Sequence, residues 1–87
     1  LAWQIRITKT AEKQITKLDK VIQQRIVKFL REQVPIDNPR HTGKALHGNK
    51  AELWRYRVGD YRLLCSIDDK SHSVIILEVM HRREVYR

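Results

Sequence analysis

The hydrophobic period of this 87-residue chain changes twice along its length, from two to the helical period and back, and those changes bound what it can fold into. Through residues 10–33 apolar side chains recur every three or four positions: Ala11, Ile15, Leu18, Ile22, Ile26, Phe29 and Leu30 form one stripe. Lys13, Lys17, Lys20, Lys28 and Arg31 lie mainly off it, as on a helix with one face toward a core. Thr10 is placed to cap the start, with Glu12 in the first turn, where a carboxylate suits the helix dipole. Asp19 is a second N-cap candidate, so the stripe reads as two consecutive helices, 10–18 and 20–33, a single bent helix being the alternative. Pro35 closes the stretch, because a proline disfavours helical geometry in the residue before it.

On either side the period is two. Trp3, Ile5 and Ile7 alternate with Gln4, Arg6 and Thr8, which predicts a half-buried strand over 2–8. From Glu52 onward Trp54, Tyr56 and Val58 share one face, and Leu53, Arg55 and Arg57 the other. Gly59-Asp60 is a two-residue hairpin signal. The next strand runs Tyr61 to Asp68, Asp69-Lys70-Ser71 turns the chain, and Val74 to Met80 is nearly continuously apolar, as a strand covered on much of both faces would be. The predicted class is α+β: an N-terminal strand, two helices, then a three-stranded antiparallel meander with the helices on one sheet face. Residues 1–87 read as one domain, since this length leaves no room for a second.

Several function classes drop out. The strongest apolar run, Val74 to Val79, is broken by Glu78 and falls far short of the roughly 20 residues a spanning helix needs. The start, LAWQIRITKT, shows no apolar signal-peptide core. A single cysteine, Cys65, excludes an internal disulfide and any multi-cysteine zinc site. No His-x-x-x-His pair, glycine-rich phosphate loop or Gly-x-Ser-x-Gly elbow is present. The expectation is a cytoplasmic protein that uses neither membrane, metal nor cofactor. A net charge of +8 is a statement about partners: nucleic acid, an acidic protein or, from the charge alone, an anionic membrane surface. Residues 34–51 read as one long loop, and its Arg40, His41, Lys44, His47 and Lys50 could contact phosphates.

The hairpin gives this charge a place. With Gly59 and Asp60 as the loop, Val58 pairs with Tyr61, Arg57 with Arg62 and Tyr56 with Leu63. Opposed residues share a face, so Arg55, Arg57 and Arg62 gather on the exposed side, while Trp54, Tyr56, Val58, Tyr61, Leu63, Cys65 and Ile67 face the core. Like charges directly opposed are destabilising, and such a cluster calls for an anion unless it is simply a solvated basic face. Arginine suits phosphate, because its planar fork makes paired hydrogen bonds and keeps its charge. The ending His81-Arg82-Arg83-Glu84-Val85-Tyr86 adds an imidazole, two guanidiniums and a phenol able to stack on a base. Histidine is the one residue type in that segment whose free side chain titrates near neutrality.

Three segments carry a resemblance: Ala45-Leu46-His47-Gly48, Leu53 through Leu63 with its Gly-Asp-Tyr-Arg hairpin, and His81-Arg82-Arg83-Glu84-Val85-Tyr86. In this order behind two basic helices, the chain resembles the RelE branch of the RelE/ParE toxins of bacterial toxin–antitoxin modules. The resemblance implies a microbial-ribonuclease-like fold and metal-independent cleavage of mRNA in the ribosomal A site, the ribose 2′-hydroxyl attacking the adjacent phosphate. It implies that Arg62 holds the scissile phosphate, that Arg82 stabilises the transition state, and that Tyr86 orients the nucleotide. Arg55 and Arg57 stand where the best-known member has lysines. Arginine effectively cannot lose its proton, so these two bind phosphate, and the general base passes to His81, or else to Tyr86 or to positioning by the ribosome. His47, Lys50 and Arg83 are substrate-contact candidates. The implied partners are ribosomal RNA, mRNA and an acidic RelB-like antitoxin wrapping the basic face. Promoter DNA would be reached only through that antitoxin. The alternatives are a ParE-like poison of DNA gyrase without nuclease activity and a degenerate toxin that survives only as a binding module.

Overall fold

The computed structural model describes residues 3–34, 38–46 and 53–85. Its elements are β1 (Gln4–Ile7), α1 (Lys9–Thr16), α2 (Lys20–Glu32), β2 (Lys44–Ala45), β3 (Leu53–Val58), β4 (Tyr61–Asp68), β5 (Ser73–His81) and α3 (Arg82–Val85). The sheet has five strands in the order β1-β5-β4-β3-β2. The predicted meander β3-β4-β5 is antiparallel throughout. The whole sheet is nevertheless mixed, because β1 lies parallel to β5, with Gln4 opposite Ser73 and Ile7 opposite Ile76.

The two helices form where the stripe predicts them, shifted by a residue or two. Thr8, and not Thr10, caps α1: its hydroxyl accepts from the Ala11 N–H at 3.2 Å. The strand ends one residue before it, so Thr8 is the last residue with extended geometry before the helix begins. Asp19 occupies the N-cap position of α2 without a side-chain cap bond. Ala11, Ile15, Ile26, Leu30 and Val34 pack on Tyr56, Leu63, Cys65, Ile67, Val74, Ile76 and Val79, with Leu18, Ile22, Phe29, Trp3 and Ile5 around them. Phe29 meets the Tyr56 ring edge-on at 5.7 Å. Ile7 departs from the expected alternation. It is 43% exposed, because β1 is an edge strand and the chain leaves it immediately for α1.

The stretch expected to be one long loop carries structure of its own. A single 3₁₀ turn spans Pro39–His41, and β2 then pairs with β3, Lys44 opposite Arg55 and Ala45 opposite Trp54. The Tyr56 hydroxyl donates to the Pro39 carbonyl at 2.7 Å, and the Trp54 indole N–H donates to the Thr42 carbonyl at 2.7 Å. Gly43 makes this seating possible. Its φ is +81°, and a Cβ there would fall 2.5 Å from both the Arg55 carbonyl oxygen and Trp54 Nε1. No helix among the described residues is long and apolar enough to cross a membrane.

Candidate nucleic-acid interface on the open sheet face

The hairpin has the predicted register: Val58 opposite Tyr61, Arg57 opposite Arg62, Tyr56 opposite Leu63. Of the two loop residues Gly59 takes positive φ, +59°, and Asp60 does not, as a type II′ turn requires. One face of the sheet therefore carries Arg55, Arg57 and Arg62, and β2 adds Lys44 directly across from Arg55. A cleft of about 240 Å³ opens beside them, lined by Phe29, Thr42, Gly43, Lys44, Arg55 and Arg57. A larger cavity, about 620 Å³, lies by the β4–β5 turn among Asp68, Asp69 and the Arg40 that pairs with Asp69. That Arg40 fork holds the Asp69 carboxyl below its usual range. With its guanidinium already paired, this end of the sheet is the poorer place for phosphate.

Arg62 is not exposed as the alternation predicts. Only 7% of it reaches solvent, making it the one buried charged side chain among the described residues. Arg57 flanks it on β3 and Met80 on β5, and α3 packs back on both β4 and β5. Its Nη1 donates over long distances, 3.2 Å to the Tyr61 carbonyl and 3.4 Å to that of Gly59. Its buried Nε has no partner among the described residues. A buried donor left unmade is costly, and a charged one more so. The side chain is thus held in place, desolvated, and short of an acceptor.

The Gly59–Asp60 turn gathers a second arginine. The Arg82 N–H donates to the Asp60 carbonyl at 2.7 Å, and Arg82 Nε lies 3.8 Å from Asp60 Oδ1. Arg82 and Asp60 are both more than half exposed, so this ion pair is weak and can open. One turn thereby fixes both Arg62 and Arg82, a convergence no spacing in the sequence announces. Arg83 follows on α3 and is exposed.

His81 is not brought to this face. It pairs with Tyr61, stacks edge-on against that ring at 5.3 Å, and accepts from the Arg83 N–H through Nδ1 at 3.2 Å. Neighbouring strand residues point to opposite faces, so Arg62 and its opposed Met80 lie on one side, Tyr61 and His81 on the other. His47, Lys50 and Tyr86 lie outside the described residues. Among those described, no group of His, Cys, Asp and Glu side chains is arranged to hold a metal ion.

A family model described as the ParE toxin of the type II toxin–antitoxin system parDE matches residues 5–86. The toxin RelG of Mycobacterium tuberculosis is 36% identical over 87 residues, covering 100% of this chain and 99% of that protein. The toxin RelE of the same organism is 33% identical over 85 residues, covering 98% and 87%. Among solved structures, the toxin–antitoxin complex RelBE2 of Mycobacterium tuberculosis matches with a TM-score of 0.84 at 35% identity, over 94% of this chain and 100% of the matched one. The isolated RelE toxin of E. coli matches at 0.76 and 25% identity, over 98% and 92%. With relatives above 30% identity along its whole length, this chain belongs to the RelE/ParE superfamily, as a RelE-family toxin of a type II toxin–antitoxin system.

Proposed function

We propose that this toxin is a ribosome-dependent endoribonuclease, acting as one domain, that cuts mRNA in the A site without a metal ion. The observation that carries the reading is Arg62: buried, fixed by the hairpin, and with no acceptor for its Nε among the described residues. A phosphate diester entering over Arg57 and Arg62 would supply that acceptor and relieve the repulsion between two directly opposed guanidiniums. The ribose 2′-hydroxyl would then attack the held phosphate, leaving a cyclic phosphate and a 5′-hydroxyl. Charge that builds on the phosphoryl oxygens meets fixed donors, the arrangement that stabilises a transition state most effectively. Arg82 can leave its weak pair with Asp60 to serve the leaving side, and Arg55, Lys44 and Arg83 can take flanking phosphates. Tyr86, His47 and Lys50 keep the roles the resemblance implies, base stacking and substrate contact.

The net charge of +8 suits docking on ribosomal RNA, where binding is largely electrostatic and salt-dependent. It suits equally an acidic antitoxin laid over the same arginines. RelB–RelE complexes are among the solved relatives, from Pyrococcus horikoshii at 27% identity for example. Such a complex would sit in the cytoplasm and reach promoter DNA through the antitoxin alone. A second reading, a gyrase poison, is favoured by the ParE description of the matching family model. Primer extension on a defined mRNA in a reconstituted translation system separates the two. A-site breaks that require ribosomes and vanish with Arg62→Ala support the nuclease. Intact mRNA beside inhibited gyrase supercoiling overturns it.

A further inference from the structure

The geometry points to Glu78 as the general base that accepts the 2′-hydroxyl proton, an assignment that rests on the nuclease reading above. Strict alternation from the buried Val74 and Ile76 would send Glu78 inward and Val79 outward. The strand does the reverse. Leu64 pairs with Glu78 while Cys65 pairs with Ile76, so Leu77 is an extra residue, a β-bulge. After it Val79 is buried opposite Leu63, and Glu78 and Met80 turn to the arginine face. Bulges re-aim side chains in this way and are frequent beside active sites.

Helix α1 and its cap hold the bulge from the edge. The Thr8 hydroxyl reaches the Ile76 and Leu77 carbonyls at 3.0 and 3.1 Å, and Gln14 Oε1 accepts from the Val79 N–H at 2.6 Å. Glu78 then stands diagonal to Arg62, whose direct partner is Met80, and in one row with Leu64 and Arg55. Diagonal neighbours are roughly 7–8 Å apart, within reach of long side chains. Yet among the described residues Glu78 forms no ion pair, whereas Asp60 and Asp69 each have an arginine. A carboxylate clamped on Arg62 would occupy the place of the phosphate. One standing a diagonal away can meet the hydroxyl of a ribose whose phosphate Arg62 holds.

The alternatives on the described residues are weaker. His81 lies on the other face with Nδ1 engaged. Asp68, farther down β4, accepts from the Ser71 hydroxyl and the Lys70 N–H. The arginines cannot act as bases. In the step itself the Glu78 carboxylate takes the 2′-hydroxyl proton while that oxygen forms its bond to phosphorus. The P–O5′ bond breaks, its electron pair leaves on the 5′-oxygen, and solvent water protonates that oxygen. The carboxylic acid afterwards returns its proton to solvent.

The test is cleavage of ribosome-bound mRNA by wild type, Glu78→Gln and Glu78→Asp under single-turnover conditions across pH, with thermal midpoints alongside. Glu78→Gln should slow cleavage about 10²–10⁴-fold, the usual contribution of a general base, and lose the acid limb of the pH–rate profile. Glu78→Asp should recover part of the rate and the limb. Glu78→Gln cutting as fast as wild type, or faster, overturns the assignment while the nuclease reading survives. Wild type leaving the mRNA whole overturns both.

Discussion

The two faces of the central sheet obey opposite rules. Toward the helices, apolar side chains interlock and the few polar groups are matched: the Tyr56 hydroxyl has the Pro39 carbonyl, and the Trp54 indole has that of Thr42. Toward the open side, Arg57 faces Arg62, Lys44 faces Arg55, and the most buried of these cations has an unpartnered Nε. One face is built to be stable by itself. The other carries a deficit that no described residue fills, and natural sites retain such deficits because stability is spent where binding needs it. The β-hairpin joins them, since every residue it places on one face fixes a neighbour on the other.

The largest effect should come from removing that deficit. Arg62→Met keeps the length and apolar stem while deleting the buried guanidinium, its unpartnered Nε and the two long Nη1 bonds with it. The unfolding free energy from thermal or urea denaturation should rise by about 1–3 kcal/mol, the scale of relieving one buried unsatisfied donor. Cleavage should fall about 10²–10³-fold, as when one preorganised donor at developing charge is lost. A variant both less stable and still active would mean that Arg62 is a packing residue, and the contrast between the faces would collapse.

Next in size is the joint that seats the basic edge. Gly43→Ala puts a methyl against the Arg55 carbonyl oxygen, Trp54 Nε1 and Tyr56 Cδ1 at a φ that L-residues resist. Left-handed strain and overpacking together should cost about 2–4 kcal/mol in a denaturation experiment. Because β2 must then lift from β3, Lys44 loses its place opposite Arg55, and affinity for a short RNA at low salt should weaken with stability. Unchanged stability would show that β2 is not held as tightly as these contacts demand.

What the sequence could and could not announce follows from range. The hairpin register was legible because a two-residue loop ties Arg57 to Arg62 with no freedom left. The helices were legible because the stripe from Ala11 to Leu30 repeats at the helical period. Thr8 and Thr10 are chemically the same cap, and only the end of β1 decides between them. The bulge at Leu77 was hidden because Val74 to Leu77 are all apolar, so no alternation is there to break, and no glycine marks the spot. The parallel seating of β1 on β5 joins residues some seventy positions apart, without a local signal. The burial of Arg62 was beyond a strand pattern, since it depends on what Met80, Arg57 and α3 cover. Candidate site residues were therefore recognisable by type and register, while their unequal exposure was not.

The smallest predicted effect sharpens the stable face. Burial pushes the Cys65 thiol up to about 12, and burial together with the Cys65 charge raises the Tyr56 hydroxyl further still. In the unfolded chain these groups ionise near roughly 8.5 and 10. Each is thus neutral in the folded protein where the unfolded one would release its proton. Their contribution is complete below the unfolded values and fades as pH climbs toward the folded ones. Between pH 9 and 10 Cys65 supplies most of the slope and should lower stability by about 1.2 kcal/mol over that unit, with Tyr56 adding about 0.4 kcal/mol there and more above it. Cys65→Ala should be less stable at neutral pH through its lost packing, yet flatter between pH 9 and 10, while lysines and other surface groups contribute equally to both proteins. Parallel curves for the two would mean that water reaches Cys65, and that the helix-facing side is not the dry counterpart to the arginine face that its burial implies.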